Sequence, residues 1–163
     1  MIYDQLFYRR SLRRAILIED ILTPYCKKSV HKGTFMDQYM QLAVEEARAA
    51  QAEGNYPYGS VLVRGGEIIG VGRNHMNTHN DPTSHAEIEV IRVAGLQATY
   101  ADTIMYASAF PCIMCAGPIV MLGIPRIIVG ASWEGCESSR ALMEVHGVEI
   151  EVLELEDCKD LLR

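Results

Sequence analysis

Two short clusters constrain this 163-residue chain more than anything else in it: His85-Ala86-Glu87 and Pro111-Cys112-Ile113-Met114-Cys115, with 26 residues between His85 and Cys112. Residues 85–93 and 112–122 both read as helices, so each cluster sits at a helix start. Cys112 and Cys115 are three apart, which puts both sulfurs on one face of a first helical turn. A helix N-terminus favours thiolate over thiol, and thiolate is the form that binds metal. His85 adds a neutral imidazole. Three N/S ligands suit a tetrahedral zinc with one position open, which is how catalytic rather than structural sites are built. Water in such a position has its pKa lowered toward about 7. Glu87, two residues past the histidine, is placed to move protons between that water, a ring nitrogen and a departing amine.

Each piece also has a plainer explanation. Ser84-His85-Ala86-Glu87 fits a capping box, with Ser84 as N-cap and Glu87 reaching back to its backbone. C-x-x-C alone suits a redox pair or half of a structural zinc site. Cys26, Cys136 and Cys158 stand singly and read as small buried hydrophobes or surface thiols. His31, His75, His79 and His146 read as loop or surface residues.

The rest of the chain alternates. An amphipathic helix over Met36–Glu53 is closed by Gly54. Strands over Tyr58–Arg64 and Glu67–Gly72 are joined by Gly65-Gly66, a hairpin pair. A polar loop runs to Thr83. After the first cluster come a strand at Thr103–Ser108 and a helix at Cys112–Leu122, in which Pro118 forces a kink or costs about 3 kcal/mol. Then follow a strand at Arg126–Ala131, a helix at Ser138–His146, a strand at Val148–Leu153 and a helix at Glu156–Leu162. One hairpin followed by strand–helix alternation implies a mixed α/β sheet with helices on both faces.

Charge separates the chain into two parts. Residues 1–35 carry seven Lys/Arg against three acids, a net of +4. They read as a basic N-terminal helical extension, with Leu6, Phe7, Leu12, Ile16 and Leu17 at roughly helical spacing. Residues 36–163 carry eight Lys/Arg against eighteen acids and form the expected catalytic domain. An acidic body argues against a protein whose main task is gripping phosphate backbones. Five cysteines at uneven spacing argue against a disulfide framework and for a reducing, cytoplasmic setting. No apolar run is long enough to span a bilayer, and the start of the chain lacks the order of a secretory signal.

H-x-E together with P-C-x-x-C is far more specific than either half, and is the signature of zinc deaminases that act on nucleobases. Over roughly residues 36–163 the chain resembles the cytidine-deaminase-like superfamily, in the branch holding free-base cytosine and guanine deaminases and tRNA adenosine deaminases. Pro57-Tyr58-Gly59-Ser60-Val61 matches that branch's P-x-G hairpin motif. The resemblance implies a three-layer α/β/α sandwich with a five-stranded sheet of order 2-1-3-4-5. It carries over His85, Cys112 and Cys115 as ligands of one zinc per subunit, Glu87 as proton shuttle, and Asn74 of Gly72-Arg73-Asn74 as a contact to the base. It also implies a homodimer or larger homo-oligomer. Phe110 stands where the family usually has Glu or Ser, and Trp133-Glu134-Gly135 replaces a pocket-lining segment. Phe110 and Trp133 are therefore candidates to stack on a flat heterocycle, or else plain core aromatics.

Three functions follow. The leading one is a zinc hydrolase that removes an exocyclic amine from a free base or similar small N-heterocycle and releases ammonia. Cytosine-like rings come first, guanine or another aminated heterocycle second, with no nucleic acid or membrane partner. The alternatives are a tRNA adenosine deaminase, or a non-catalytic zinc-containing partner subunit.

Overall fold

The computed structural model describes residues 36–163. The basic helical extension expected over residues 1–35 lies outside the described residues. Helix α1 runs over Gln38–Ala52, with Asp37 as N-cap accepting from the Tyr39 and Met40 amides at 3.0 and 2.9 Å. Such a cap contributes about 1 kcal/mol. Strands β1 (Gly59–Arg64) and β2 (Glu67–Arg73) form the hairpin. Gly65 and Gly66 both have positive φ, +56° and +89°, as a two-residue primed turn requires.

The polar loop that follows holds a short helix that no apolar periodicity announced, α2 (Met76–His79). Then come α3 (Ala86–Ala94), β3 (Thr103–Ala109), α4 (Ile113–Leu122), β4 (Arg126–Ala131), α5 (Glu137–Val145), β5 (Glu149–Val152) and α6 (Glu156–Leu161). α4 passes through Pro118 without breaking. The missing N–H there removes a single ladder bond, to the Met114 carbonyl one turn back.

The sheet has the expected order, β2-β1-β3-β4-β5. β1 is antiparallel to β2 and β3, while β3, β4 and β5 run parallel. Parallel neighbours need crossovers, which α4 and α5 supply. α1 and α6 cover one face; α3, α4 and α5 cover the other. Burial on both faces makes β1 and β3 nearly continuous apolar runs, as interior strands of such a sandwich must be. Leu62, Met105, Ile127 and Val129 from the sheet meet Val90, Ala116, Ile119 and Met143 from the helices, all fully buried. Each large side chain so buried contributes about 1.5–3 kcal/mol. Among the described residues, no helix is long and apolar enough to cross a membrane.

The topology also decides where chemistry can sit. β2, β3 and β4 end, and β1 begins, on the same margin of the sheet. Tyr58 directly precedes β1, Asn74 directly follows β2, Phe110 directly follows β3, and Trp133 lies just past β4. Crevices at the carboxyl ends of parallel strands are where open α/β sheets bind ligands.

Candidate active site

His85 and Cys112 are not inside helices; they are the N-caps of α3 and α4, with extended backbones at φ −82°, ψ 155° and φ −71°, ψ 171°. Neither side chain caps its own helix, which leaves imidazole and thiol free to turn toward each other. Cys115 is the third residue of α4 and is fully buried. His85 Nδ1 lies 3.5 Å from each sulfur, and the sulfurs lie 3.7 Å apart. A tetrahedral zinc with bonds of about 2.3 Å to sulfur and about 2.05 Å to nitrogen would separate sulfurs by about 3.8 Å, and sulfur from nitrogen by about 3.6 Å. The triangle therefore fits a zinc ion to within about 0.1 Å, well inside the tolerance of about 0.2 Å for such sites. It is the one group of three metal-binding side chains among the described residues.

The protonation pattern agrees. Cys112 is held down to about 4, chiefly by a hydrogen bond from the Cys115 thiol and then by His85. Cys115 is pushed strongly up, first by that same bond and then by burial. His85 is raised, mainly by its hydrogen bond to Cys112. The two sulfurs thus share one proton between them, and a divalent cation is the natural replacement for it.

Glu87 occupies the second position of α3 and is 6% exposed. Burial pushes its carboxyl above the usual carboxylate range. The capping box expected as an alternative does not form. Ser84 is one residue too early to cap α3, and its hydroxyl instead donates to Glu89 at 2.5 Å. Glu89 also takes Arg92 as a partner, so this network absorbs the serine and leaves the Glu87 carboxyl to the cleft.

That cleft, of about 230 Å³, is lined by Tyr58, His85, Glu87, Ala109, Phe110, Cys112 and Trp133. Five of these seven were expected from sequence as site residues: His85, Glu87, Phe110, Cys112 and Trp133. Its Nε1–H donates to the Phe110 carbonyl at 2.7 Å, so its polar atom is spent on the wall and its ring remains apolar. Phe110 serves two purposes at once: it is 2% exposed in the core cluster and also borders the cleft. The Arg140 guanidinium covers one face of its ring at 4.6 Å.

Tyr58 and Ala109 were missed. The signal for both was position, since they flank the strand ends next to residues already singled out. Asn74 is not among the lining residues. It is fully buried, and its backbone N–H donates to the Tyr58 carbonyl at 3.0 Å. Its Oδ1 accepts from the Met76 amide at 3.1 Å, while its Nδ2 has no partner.

Residues 34–131 match the family described as cytidine and deoxycytidylate deaminase zinc-binding region. The tRNA-specific adenosine deaminase of Buchnera aphidicola subsp. Schizaphis graminum is 33% identical over 128 residues, covering 77% of this chain and 84% of its own. The cytosine deaminase of Candida albicans is 30% identical over 133 residues, covering 79% and 88%. A solved structure from a study of A-to-I editing by tRNA:A34 deaminases superposes with a TM-score of 0.69 at 32% identity, covering 76% of this chain and 97% of the other.

Proposed function

The chain belongs to the cytidine and deoxycytidylate deaminase family of zinc-dependent hydrolases, and on that premise we propose that it deaminates a free nucleobase or similar small N-heterocycle. Cytosine-like rings come first and guanine-like rings second. The observation that carries this reading is electrostatic. Each of the eight Lys/Arg in residues 36–163 is already paired with a carboxylate: Arg48, Arg64, Arg73, Arg92, Arg126, Arg140, Lys159 and Arg163. Ten carboxylates remain in excess. RNA binding draws its affinity from cations that neutralise phosphates, and the described residues hold no unpaired one. A cleft of about 230 Å³ is also smaller than the roughly 300–1,000 Å³ of drug-sized ligand sites, which suits a single ring system.

In this reading His85 Nδ1, Cys112 and Cys115 hold the zinc, which supplies the Lewis acidity that brings hydroxide within reach of neutral pH. Glu87 accepts one proton of the water whose oxygen bonds to the amine-bearing carbon, and passes it to the ring nitrogen beside that carbon. It then carries the second proton to the amine, which leaves as ammonia while the ring keeps a carbonyl. Burial favours the neutral carboxyl, so Glu87 retains the second proton it takes up until that last transfer. Trp133 and Phe110 form the apolar wall, and the free Asn74 Nδ2–H donates to a ring acceptor. A buried donor without a partner costs about 1–3 kcal/mol, and a ligand acceptor would relieve it.

A homodimer belongs to the same proposal. α4 carries no charged, hydroxyl or amide side chain, yet Ile113 and Met121 are 55% and 87% exposed. A helix apolar all round calls for cover, and sedimentation equilibrium tests it.

The second reading, a tRNA adenosine deaminase, is favoured by the identities to such enzymes and by the +4 charge of residues 1–35. Ammonia release separates the two. Zinc-loaded protein is offered cytosine, 5-methylcytosine, isocytosine, guanine, adenine and an adenosine-containing tRNA stem-loop, with Glu87→Ala as blank. Turnover of a free base supports the proposal. Turnover of the stem-loop alone, with steep salt dependence, overturns it in favour of the second reading.

A further inference from the structure

The segment that follows β2 is built in an unusual way. α2 is a single turn of four residues, Met76–His79; its own backbone bonds, such as His79 N–H to the His75 carbonyl at 2.9 Å and Asp81 N–H to the Met76 carbonyl at 3.1 Å, leave its first amides without helical partners. Its first three amides are all satisfied by side chains. Met76 N–H donates to Asn74 Oδ1 at 3.1 Å. Asn77 and Thr78 N–H both donate to Asn55 Oδ1 at 3.0 Å. Asn55 Nδ2 donates in turn to Thr78 Oγ1 at 3.1 Å, and Asn77 Nδ2 donates to the Gly54 carbonyl at 2.7 Å. Asn55 is itself buried, 6% exposed, in the turn after α1.

These bonds have a consequence for Asn74. An amide N–H can only be met by the oxygen end of a carboxamide. Met76 N–H therefore fixes which way Asn74 is flipped, and it leaves Nδ2 as the free end. Whether Met76 stays in place depends on whether the α2 turn stays closed. Beyond its own backbone bonds, that turn is held from outside by Asn55.

We infer that Asn55 is a positioning residue that clamps α2 and thereby holds the Asn74 carboxamide in the orientation that leaves Nδ2 as its free end. The inference rests on the reading of Asn74 as a base contact. Asn55 itself touches no substrate. It acts through two amides 22 and 23 residues away in sequence.

Amide hydrogen exchange, followed by NMR on the zinc-loaded full chain, tests the clamp without any substrate. In Asn55→Ala the amides of Met76, Asn77 and Thr78 exchange about tenfold faster or more, the equivalent of about 1.4 kcal/mol. The Leu62 and Met105 amides in the sheet stay unchanged and certify the fold. Asn55→Asp keeps the accepting oxygen and holds all three amides within about threefold of wild type. Acceleration at Asn77 and Thr78 with Met76 unmoved overturns the inference. So does loss of Met76 protection in Asn55→Asp, which also decides the matter if Asn55→Ala does not fold.

Kinetics with the free base turned over in the ammonia assay then separates this inference from the reading beneath it. Asn55→Ala and Asn74→Ala both raise KM more than they lower kcat, and Asn55→Asp restores it. If Asn74→Ala raises KM and Asn55→Ala does not, the clamp is refuted and Asn74 keeps its role. If Asn74→Ala changes nothing, both fall, while a zinc- and Glu87-dependent deaminase still stands.

Discussion

Gly72→Ala joins the fold to the chemistry more directly than any substitution at the site itself. Gly72 lies in β2, under the first turns of α3. A Cβ built there would sit 2.5 Å from the Val90 amide nitrogen, 2.6 Å from the Ala86 carbonyl oxygen and 3.0 Å from the Glu89 carbonyl carbon. All three are backbone atoms, so no side chain can rotate away. Ordinary contact at about 3.5 Å requires α3 to lift by about 1 Å, and overpacking of this kind costs about 1–3 kcal/mol. α3 carries His85 at its cap and Glu87 in its first turn. A 1 Å lift takes His85 Nδ1 well outside the roughly 0.2 Å tolerance of a zinc site and displaces Glu87 from the reacting atoms, an error worth about 100-fold in rate. Urea unfolding gives the first number, and competition with a chromophoric chelator gives the zinc affinity. The control is Gly117→Ala in α4, where a Cβ meets nothing within 4 Å and helix propensity predicts a gain of up to about 1 kcal/mol. A Gly72→Ala protein with wild-type zinc affinity and stability within about 0.5 kcal/mol would refute the idea that backbone contact with β2 sets the position of the ligand helix.

Other outcomes are expected at Cys115, Trp133 and Cys158. Cys115→Ser, at a fully buried ligand, abolishes stoichiometric zinc and ammonia release together; retained zinc with lost turnover would remove Cys115 from the ligand set. Trp133→Phe removes the indole donor to the Phe110 carbonyl and costs about 0.5–1.5 kcal/mol in urea unfolding. Trp133 is the chain's one tryptophan, so in the wild type a ring entering the cleft changes its fluorescence directly, and a silent spectrum at saturating turned-over base would remove Trp133 from the wall. Cys158 is 1% exposed, and burial pushes its thiol up to about 11. It resists iodoacetamide at pH 7 in the folded protein. The unfolded thiol ionises near 9 while the folded one does not, so stability falls as pH rises from about 9 to about 11; Cys158→Ala removes that part of the slope, and an unchanged slope would refute it.

What could be read from sequence was local or periodic. The two sulfurs met because i, i+3 spacing on a first helical turn leaves them little choice, and strands and helices showed because burial writes a period into them. α2 left no such trace. It has no buried face, and the residue that holds it, Asn55, lies about twenty positions upstream in another turn. Ser84 failed as a cap for a related reason: Glu89 takes its hydroxyl, and nothing in S-H-A-E reveals that bond. Pro118 reads as a breaker, yet it costs α4 one bond among many.

Residue type and spacing pointed to a His–Cys–Cys donor set and to a mixed sheet with helices on both faces, because ligand chemistry and amphipathic period are properties of short segments, while the ligand assignment and the strand order came from the resemblance to a family. Tertiary structure decided what the spacing leaves open. It brought His85 to 3.5 Å from both sulfurs, across 26 intervening residues to Cys112 and 29 to Cys115. It made Phe110 a core residue and a cleft wall together, added Tyr58 and Ala109 to the lining, and left the Asn74 amide without a partner. Those are outcomes of where four strand ends converge, and convergence is a property of the whole sheet rather than of any one segment.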